Sequence, residues 1–483
     1  MTSEPKAAIL RAVDALEEGD RRGAAGLLRE EMAANPSSDR LKSVARLATS
    51  IGECLMEIDA LGRAASMPSA TLETVLAYCE SLARYSNTRE AEGIINQLND
   101  EARQHIAIQH FLGTLATQVG DFGTAEPHFR AVLKLAPLSA QTWYTLSTIK
   151  TFSLADVDIE TMERLRPEIA AKMPAMLPQF LYALGKAYDD AGLVQMAMTA
   201  YDEGARLKRA SEPYDRKAVA DFADRLVRDF TPQAMAALKP SSCRSTRAIF
   251  VNGLPRSGTT LVEQILTSHS AVRDGAEINL MASAMIPVGN LTYPDALSFQ
   301  AQASDPWGTV AEDYLCLVGQ RFGPNGRIVD KTLSHARMMG LLLHSLPEAR
   351  VVWLRRQPED CALSCYRTFF ATSLPWSWSV DDIASYFRSE DMLHAHWSAL
   401  FPDRILTVPY ESLVADPSTW IPRILDHVGL DFEPQVMTPE KQSRSVMTAS
   451  VAQVREQIST ARVGTSQVHG DFTVAFRRAY RGQ

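Results

Sequence analysis

This chain has little that would place it in a membrane, on a metal or against nucleic acid. No run of about 18 apolar residues occurs in its 483, which excludes a helical membrane span. Its six cysteines (Cys54, Cys79, Cys243, Cys316, Cys361 and Cys365) form no C-x-x-C and no metal-ligand spacing. Core thiols in a reducing compartment are the simplest reading of them. Positive charge is not in excess: a net charge of −8 argues against a generic nucleic-acid or anionic-membrane binder. The opening residues lack the apolar core of a secretory signal, so a cytoplasmic location is expected. What remains is a chain long enough for two or more domains with ordinary globular composition.

From the start to about residue 225 the pattern is helical, with sparse glycine and proline between apolar-periodic segments. Ala91 and Ala125 lie 34 residues apart, one tetratricopeptide period. The best unit runs Leu112-Gly113, Ala125, Phe129, Pro137, and a second runs Leu184-Gly185, Tyr188, Ala197, Tyr201. Small residues at the glycine and alanine positions let paired helices approach, and the large residue fills the gap between them. Stacked units make a concave solenoid, read either as a peptide- or partner-binding groove or as a plain helical platform. We therefore expect helical repeats over 1–230, with a last helix near Tyr214 to Phe230. A polar, proline-broken connection follows over 231–246.

From 247 the pattern alternates between strand and helix. Candidate parallel strands are Ala248–Val251, Arg327–Asp330, Arg350–Leu354 and Arg404–Val408, with helices such as Thr260–Ser268 and Ser334–Leu346 between them. This predicts an open α/β domain over 247–464 with a mostly parallel sheet. Its ligand belongs at the carboxyl ends of the strands.

The chemistry starts at Ala248-Ile-Phe-Val-Asn-Gly-Leu-Pro-Arg-Ser-Gly-Thr-Thr260. A strand, a glycine loop and a helix N-terminus in that order form an oxyanion cradle. Gly253 and Gly258 bracket four residues, as in a Walker A loop, but Thr259 occupies the lysine position. The loop should hold an anion of lower charge than a triphosphate. A P-loop kinase stays an alternative that the missing lysine speaks against. A second anion site follows another strand, where Arg355 and Arg356 supply guanidinium forks and Pro358 opens a helix carrying Ser364. Two anion sites suit a bisphosphorylated nucleotide.

Pro255-Arg256-Ser257-Gly258-Thr259-Thr260 resembles the 5′-phosphosulfate loop of sulfotransferases that use 3′-phosphoadenylyl sulfate (PAPS). The likeness is greatest to the tetratricopeptide-linked bacterial branch and the protein-tyrosine sulfotransferases. By that resemblance Arg356 and Ser364, in Arg356-x-Pro-x-Asp-x-x-x-Ser364, hold the 3′-phosphate. Glu277 falls on the family's catalytic base, and a carboxylate can take the proton of an attacking hydroxyl. His269 and His335 are rival bases of lower rank. Lys331, at a strand end, falls on the lysine that neutralises the departing oxygen, with Asp330 and Thr332 to orient it. Tyr410 and Leu413 read as structural, and Glu411 as non-catalytic. Ser450 and Arg455 lie in a stretch that resembles the late nucleotide-contacting loop. After Gly464 the chain departs from the family's closing helix, so 465–483 reads as a divergent tail whose Arg477, Arg478 and Arg481 form a solvated end.

The resemblance implies transfer of a sulfuryl group to a hydroxyl of a peptide tyrosine, a glycan or a small molecule, without a metal. The helical groove is a candidate seat for a bulky acceptor. A tetratricopeptide scaffold carrying an inactive, nucleotide-binding transferase module is the non-enzymatic alternative. Oligomeric state is not specified by the sequence.

Overall fold

Helices that cannot bury an apolar stripe alone do so here in pairs. The computed structural model describes residues 7–370, 374–442 and 455–482. Packed pairs in the first half include Ala8–Glu17 with Arg21–Ala33, Ile106–Val119 with Phe122–Leu135, and Leu177–Asp190 with Val194–Ser211. Short turns set their starts: Asp20 accepts from the amide of Gly23, and Asp121 from that of Thr124. Close approach depends on two glycines. A Cβ at Gly113 would sit 2.6 Å from the Phe129 ring, and one at Gly185 2.7 Å from the Tyr201 ring. The last long helix of this half is Arg216–Asp229. The connection after it is tied down rather than loose. Thr231 caps a short helix, Pro232–Ala236, the Lys239 ammonium donates to the carbonyls of Gln300 and Ala303, and the Ser241 hydroxyl donates to that of Ser345.

The second half is organised on five parallel strands: β1 (Ala248–Gly253), β2 (Val272–Ala276), β3 (Arg327–Asp330), β4 (Arg350–Arg355) and β5 (Ile405–Pro409). Their order is β2-β3-β1-β4-β5, so β1 is central. Central strands must be apolar on both faces. Ile249 and Val251 face a layer with helices Thr259–Thr267 and Pro417–Val428. Phe250 faces the opposite layer with helices Pro306–Phe322 and Val380–Leu400. The four expected strands are present with ends shifted by at most two residues.

β2 was not expected. It is an edge strand carrying Arg273 and Asp274, so it has no continuous apolar run to betray it. The expected helix Ser334–Leu346 is instead a 3₁₀ turn, Leu333–Arg337, followed by helix Met339–Ser345. The Trp397 indole donates to the Ala336 carbonyl at 2.8 Å, occupying an acceptor that a continuous α-helix would use. The end of the chain also differs from expectation. Gly470–Tyr480 is a helix whose Phe472 and Phe476 are buried, and Arg477 pairs with Glu359 instead of standing in solvent alone.

One apolar cluster crosses the two halves. Phe180, Tyr182 and Tyr201 of the paired helices pack with Cys361, Tyr366 and Trp378 of the sheet half and with Phe472 and Phe476 of the last helix. Among the described residues no helix is long and apolar enough to cross a membrane.

Candidate active site

Five parallel strands put five carboxyl ends on one edge, and chain direction diverges on either side of β1. Such a switch point leaves a crevice. Here the crevice is an open cleft of about 670 Å³ at the ends of β1 and β4.

The β1 loop turns by unusual backbone geometry. Arg256 has φ 68° and Gly258 φ 101°. A Cβ at Gly258 would lie 2.4 Å from the Tyr410 ring, so only glycine fits. The Ser257 hydroxyl donates back to the Leu254 carbonyl at 2.6 Å, and two buried thiols, Cys361 and Cys365, donate to the Pro255 carbonyl. The loop is thus braced from behind. Helix Thr259–Thr267 begins at Gly258 without a side-chain cap, and Gly258, Thr259 and Thr260 line the cleft. An uncapped helix start favours an anion.

The two predicted anion sites meet. The Arg256 guanidinium donates to Ser364 Oγ at 3.0 Å, and Arg356 donates to the Arg256 carbonyl at 3.0 Å. Burial, with Arg356 and Arg462 adding like charge, pushes the Arg256 guanidinium below its ordinary range. Arg356 lies 4.9 Å over the Tyr410 ring, and its buried Nε has no hydrogen-bond partner among the described residues. That orphan donor, in a cleft with two further guanidiniums, fits a polyanionic ligand. Arg355, by contrast, turns away to pair with Asp391.

Sequence reasoning missed the third guanidinium, Arg462, which lines the same cleft. Asp360, fully buried, accepts from the amides of Gly464 (2.6 Å) and Ser466 (2.8 Å) and so pins this segment to the helix carrying Ser364. The Arg462 carbonyl accepts from Arg356 at 2.5 Å. Asp360 stands inside the arginine–serine motif, but nothing near Arg462 in sequence marks it as its partner. The Arg455 guanidinium donates to the carbonyls of Gln442 and Gln118, the latter in the helical half. Ser450 lies outside the described residues. Glu411 accepts from the Gln357 amide at 2.8 Å and thus braces the start of helix Pro358–Tyr366.

A second charged group sits at the ends of β2 and β3. These strands pair Ala276 with Asp330, and the Lys331 amide donates to the Ala276 carbonyl. The next residues, Glu277 and Lys331, therefore emerge side by side. Their side chains meet at 2.5 Å, with Lys331 fully buried and the Glu277 side chain 47% exposed. Asp330 and Thr332 do not hold the ammonium. Asp330 is fully buried and takes its donors from Tyr314 and Thr332, while Thr332 Oγ accepts from the Asn279 amide. Both histidines are buried off the cleft. His269 contacts the Asp431 carbonyl at 2.8 Å. His335 lies against Phe250, and burial lowers its pKa.

Residues 248–434 match the family model described as Sulfotransferase family. An uncharacterised protein of Aquifex aeolicus is 28% identical over 389 residues, covering 77% of this chain and 50% of its own length. The protein-tyrosine sulfotransferase of Drosophila melanogaster is 22% identical over 204 residues, covering 41% of each chain. This chain thus spans about half the length, or less, of these two relatives. Among solved structures, the sulfotransferase domain from the curacin biosynthetic pathway aligns at 20% identity over 44% of this chain and 83% of its own, with a TM-score of 0.31. The similarity to the sulfotransferase family thus falls on the sheet half of this chain, residues 248–434.

Proposed function

We propose that the chain transfers a sulfuryl group from PAPS to an acceptor hydroxyl, with residues 247–464 as the transferase and 1–230 as tetratricopeptide-like repeats. One observation carries the donor assignment: Arg256, Arg356 and Arg462 share a cleft with an uncapped helix start. Like charges that close repel, and a ligand with several negative charges relieves the repulsion. In this reading the loop Pro255–Thr260 takes the 5′-phosphosulfate. Arg356, Ser364 and Arg462 take the 3′-phosphate. The donor, when bound, supplies an activated sulfuryl group.

Glu277 is partly open to solvent and accepts the proton of the attacking hydroxyl. Lys331 offsets the charge that develops on the departing phosphate oxygen. Arginine and lysine provide the countercharge, so the proposal needs no metal. The acceptor class is a peptide tyrosine, a glycan or a small hydroxylated molecule, with the helical groove as a seat for the bulkier ones.

Radiolabelled PAPS with p-cresol, the side chain of tyrosine, and with a fractionated lysate tests the proposal. Glu277→Gln should lower kcat by about 10²–10⁴-fold. Binding of adenosine 3′,5′-bisphosphate, followed by calorimetry, should be unchanged in that variant. No heat of binding to the wild-type chain would sink the donor assignment.

A further inference from the structure

The fully buried ammonium of Lys331 has two carboxylates beside it. Besides Glu277 at 2.5 Å, Glu263 lies 3.6 Å away. Glu263 is 2% exposed and sits one turn into the loop helix. Thr260, Glu263 and Thr267 share one helix face. A Cβ at Gly275 of β2 would lie 3.2 Å from Thr267 and 2.9 Å from Val329 of β3. The glycine therefore lets this helix face come close to β2 and β3, where Lys331 begins.

Resting on the function proposed above, we propose that Glu263 is a positioning residue that keeps Lys331 charged and in place while Glu277 changes its own charge. Glu277 has two duties that conflict. Before reaction it is the near counter-charge of Lys331. During transfer the proton of the acceptor O–H passes to the Glu277 carboxylate, and the acceptor oxygen forms its bond to sulfur. The bond from sulfur to the bridging phosphate oxygen breaks, and its electron pair stays on the phosphate. At that moment Glu277 is neutral. A buried ammonium left without a counter-charge would lose its proton or shift, just when its charge is required. Glu263 is shielded by burial from the acceptor and takes no part in the proton transfer. The exposed carboxylate exchanges the proton, and the buried one holds the lysine.

Glu263→Gln keeps the shape and removes the charge, and Lys331→Met removes its partner. Thermal unfolding of the wild type, both single variants and the double variant, all without donor, forms a cycle. Each single change should lower the midpoint, and the double variant should be no worse than the worse single one. With labelled PAPS and p-cresol or water as acceptor, Glu263→Gln should lower kcat about tenfold or more. Its Kd for adenosine 3′,5′-bisphosphate should stay within about twofold of wild type, and Glu263→Asp should recover part of the rate. Additive losses in the unfolding cycle, or a wild-type kcat in Glu263→Gln, overturn the inference. A wild-type kcat in Lys331→Met instead overturns the function proposed for the site, and the unfolding cycle then judges the pairing by itself.

Discussion

The carboxyl edge of the sheet holds two charged neighbourhoods assembled by opposite rules. At β1 and β4 three guanidiniums converge, and the described carboxylate among the cleft residues, Glu456, pairs with Arg462 at 3.2 Å. At β2 and β3 one ammonium meets two carboxylates. The first has positive charge in surplus and donors to spare, which suits holding an incoming anion. In the second, carboxylates outnumber the ammonium before anything arrives, so it does not attract a further anion and is suited to moving a proton. Both lie at the carboxyl ends of neighbouring strands, on the same edge of the sheet.

That contrast can be broken experimentally. Arg356→Ala removes a donor and its buried orphan Nε together, and should weaken binding of adenosine 3′,5′-bisphosphate about 100-fold in calorimetry. If affinity instead falls as much in Lys331→Met, the two neighbourhoods are not separate. Gly258→Ala forces a left-handed backbone on a residue with a Cβ and drives it into Tyr410. It should cost about 2 kcal/mol in chemical unfolding, with weaker nucleotide binding. An unchanged unfolding curve would show that the loop is not braced as described.

A smaller effect tests what a buried carboxylate does without a close ammonium. Burial, only partly opposed by Arg337, pushes Glu390 from 4.5 up to about 7. The folded chain then holds a proton between those values that the unfolded chain has released. The stabilising contribution of Glu390 is therefore full below about pH 4.5 and is lost as pH rises through 7. Measured against Glu390→Gln, wild-type stability should fall by about 1–2 kcal/mol between pH 5 and pH 8. Burial holds His394 down at about 4, the opposite direction, but both proteins carry it and it cancels in the difference. A difference that does not change with pH would show that Glu390 is ionised throughout.

Much of this edge could be read from the chain. The strands β1, β3, β4 and β5 announce themselves by apolar runs, and the loop, Arg356, Ser364 and Lys331 follow such runs directly. β2 could not be read that way, because an edge strand with Arg273 and Asp274 has no apolar signature. Glu277 was picked out by resemblance alone, and the β2–β3 pairing supplies the physical reason it stands beside Lys331. Arg462 escaped notice because its place depends on a contact more than a hundred residues away, made by Asp360. The final helix was mistaken for a tail because its apolar positions, Phe472 and Phe476, are few and flanked by charge. Arg455 was picked out by resemblance, and nothing in the sequence marked its bonds to the carbonyls of Gln442 and Gln118.

The aromatic cluster on Tyr182 has a consequence for anyone cutting this gene. Tyr182 touches Tyr201, Phe369 and Trp378, so it bridges sequence on both sides of residue 248, where the recognised family stretch begins. A fragment trimmed to that stretch would strand Phe369 and Trp378 without their neighbours, and would discard Phe472 and Phe476 as well. The family-matching stretch is therefore smaller than the packed unit it belongs to. Upstream helices and downstream helix are foundations of the sheet half, and substitutions in one have to be tolerated by the other.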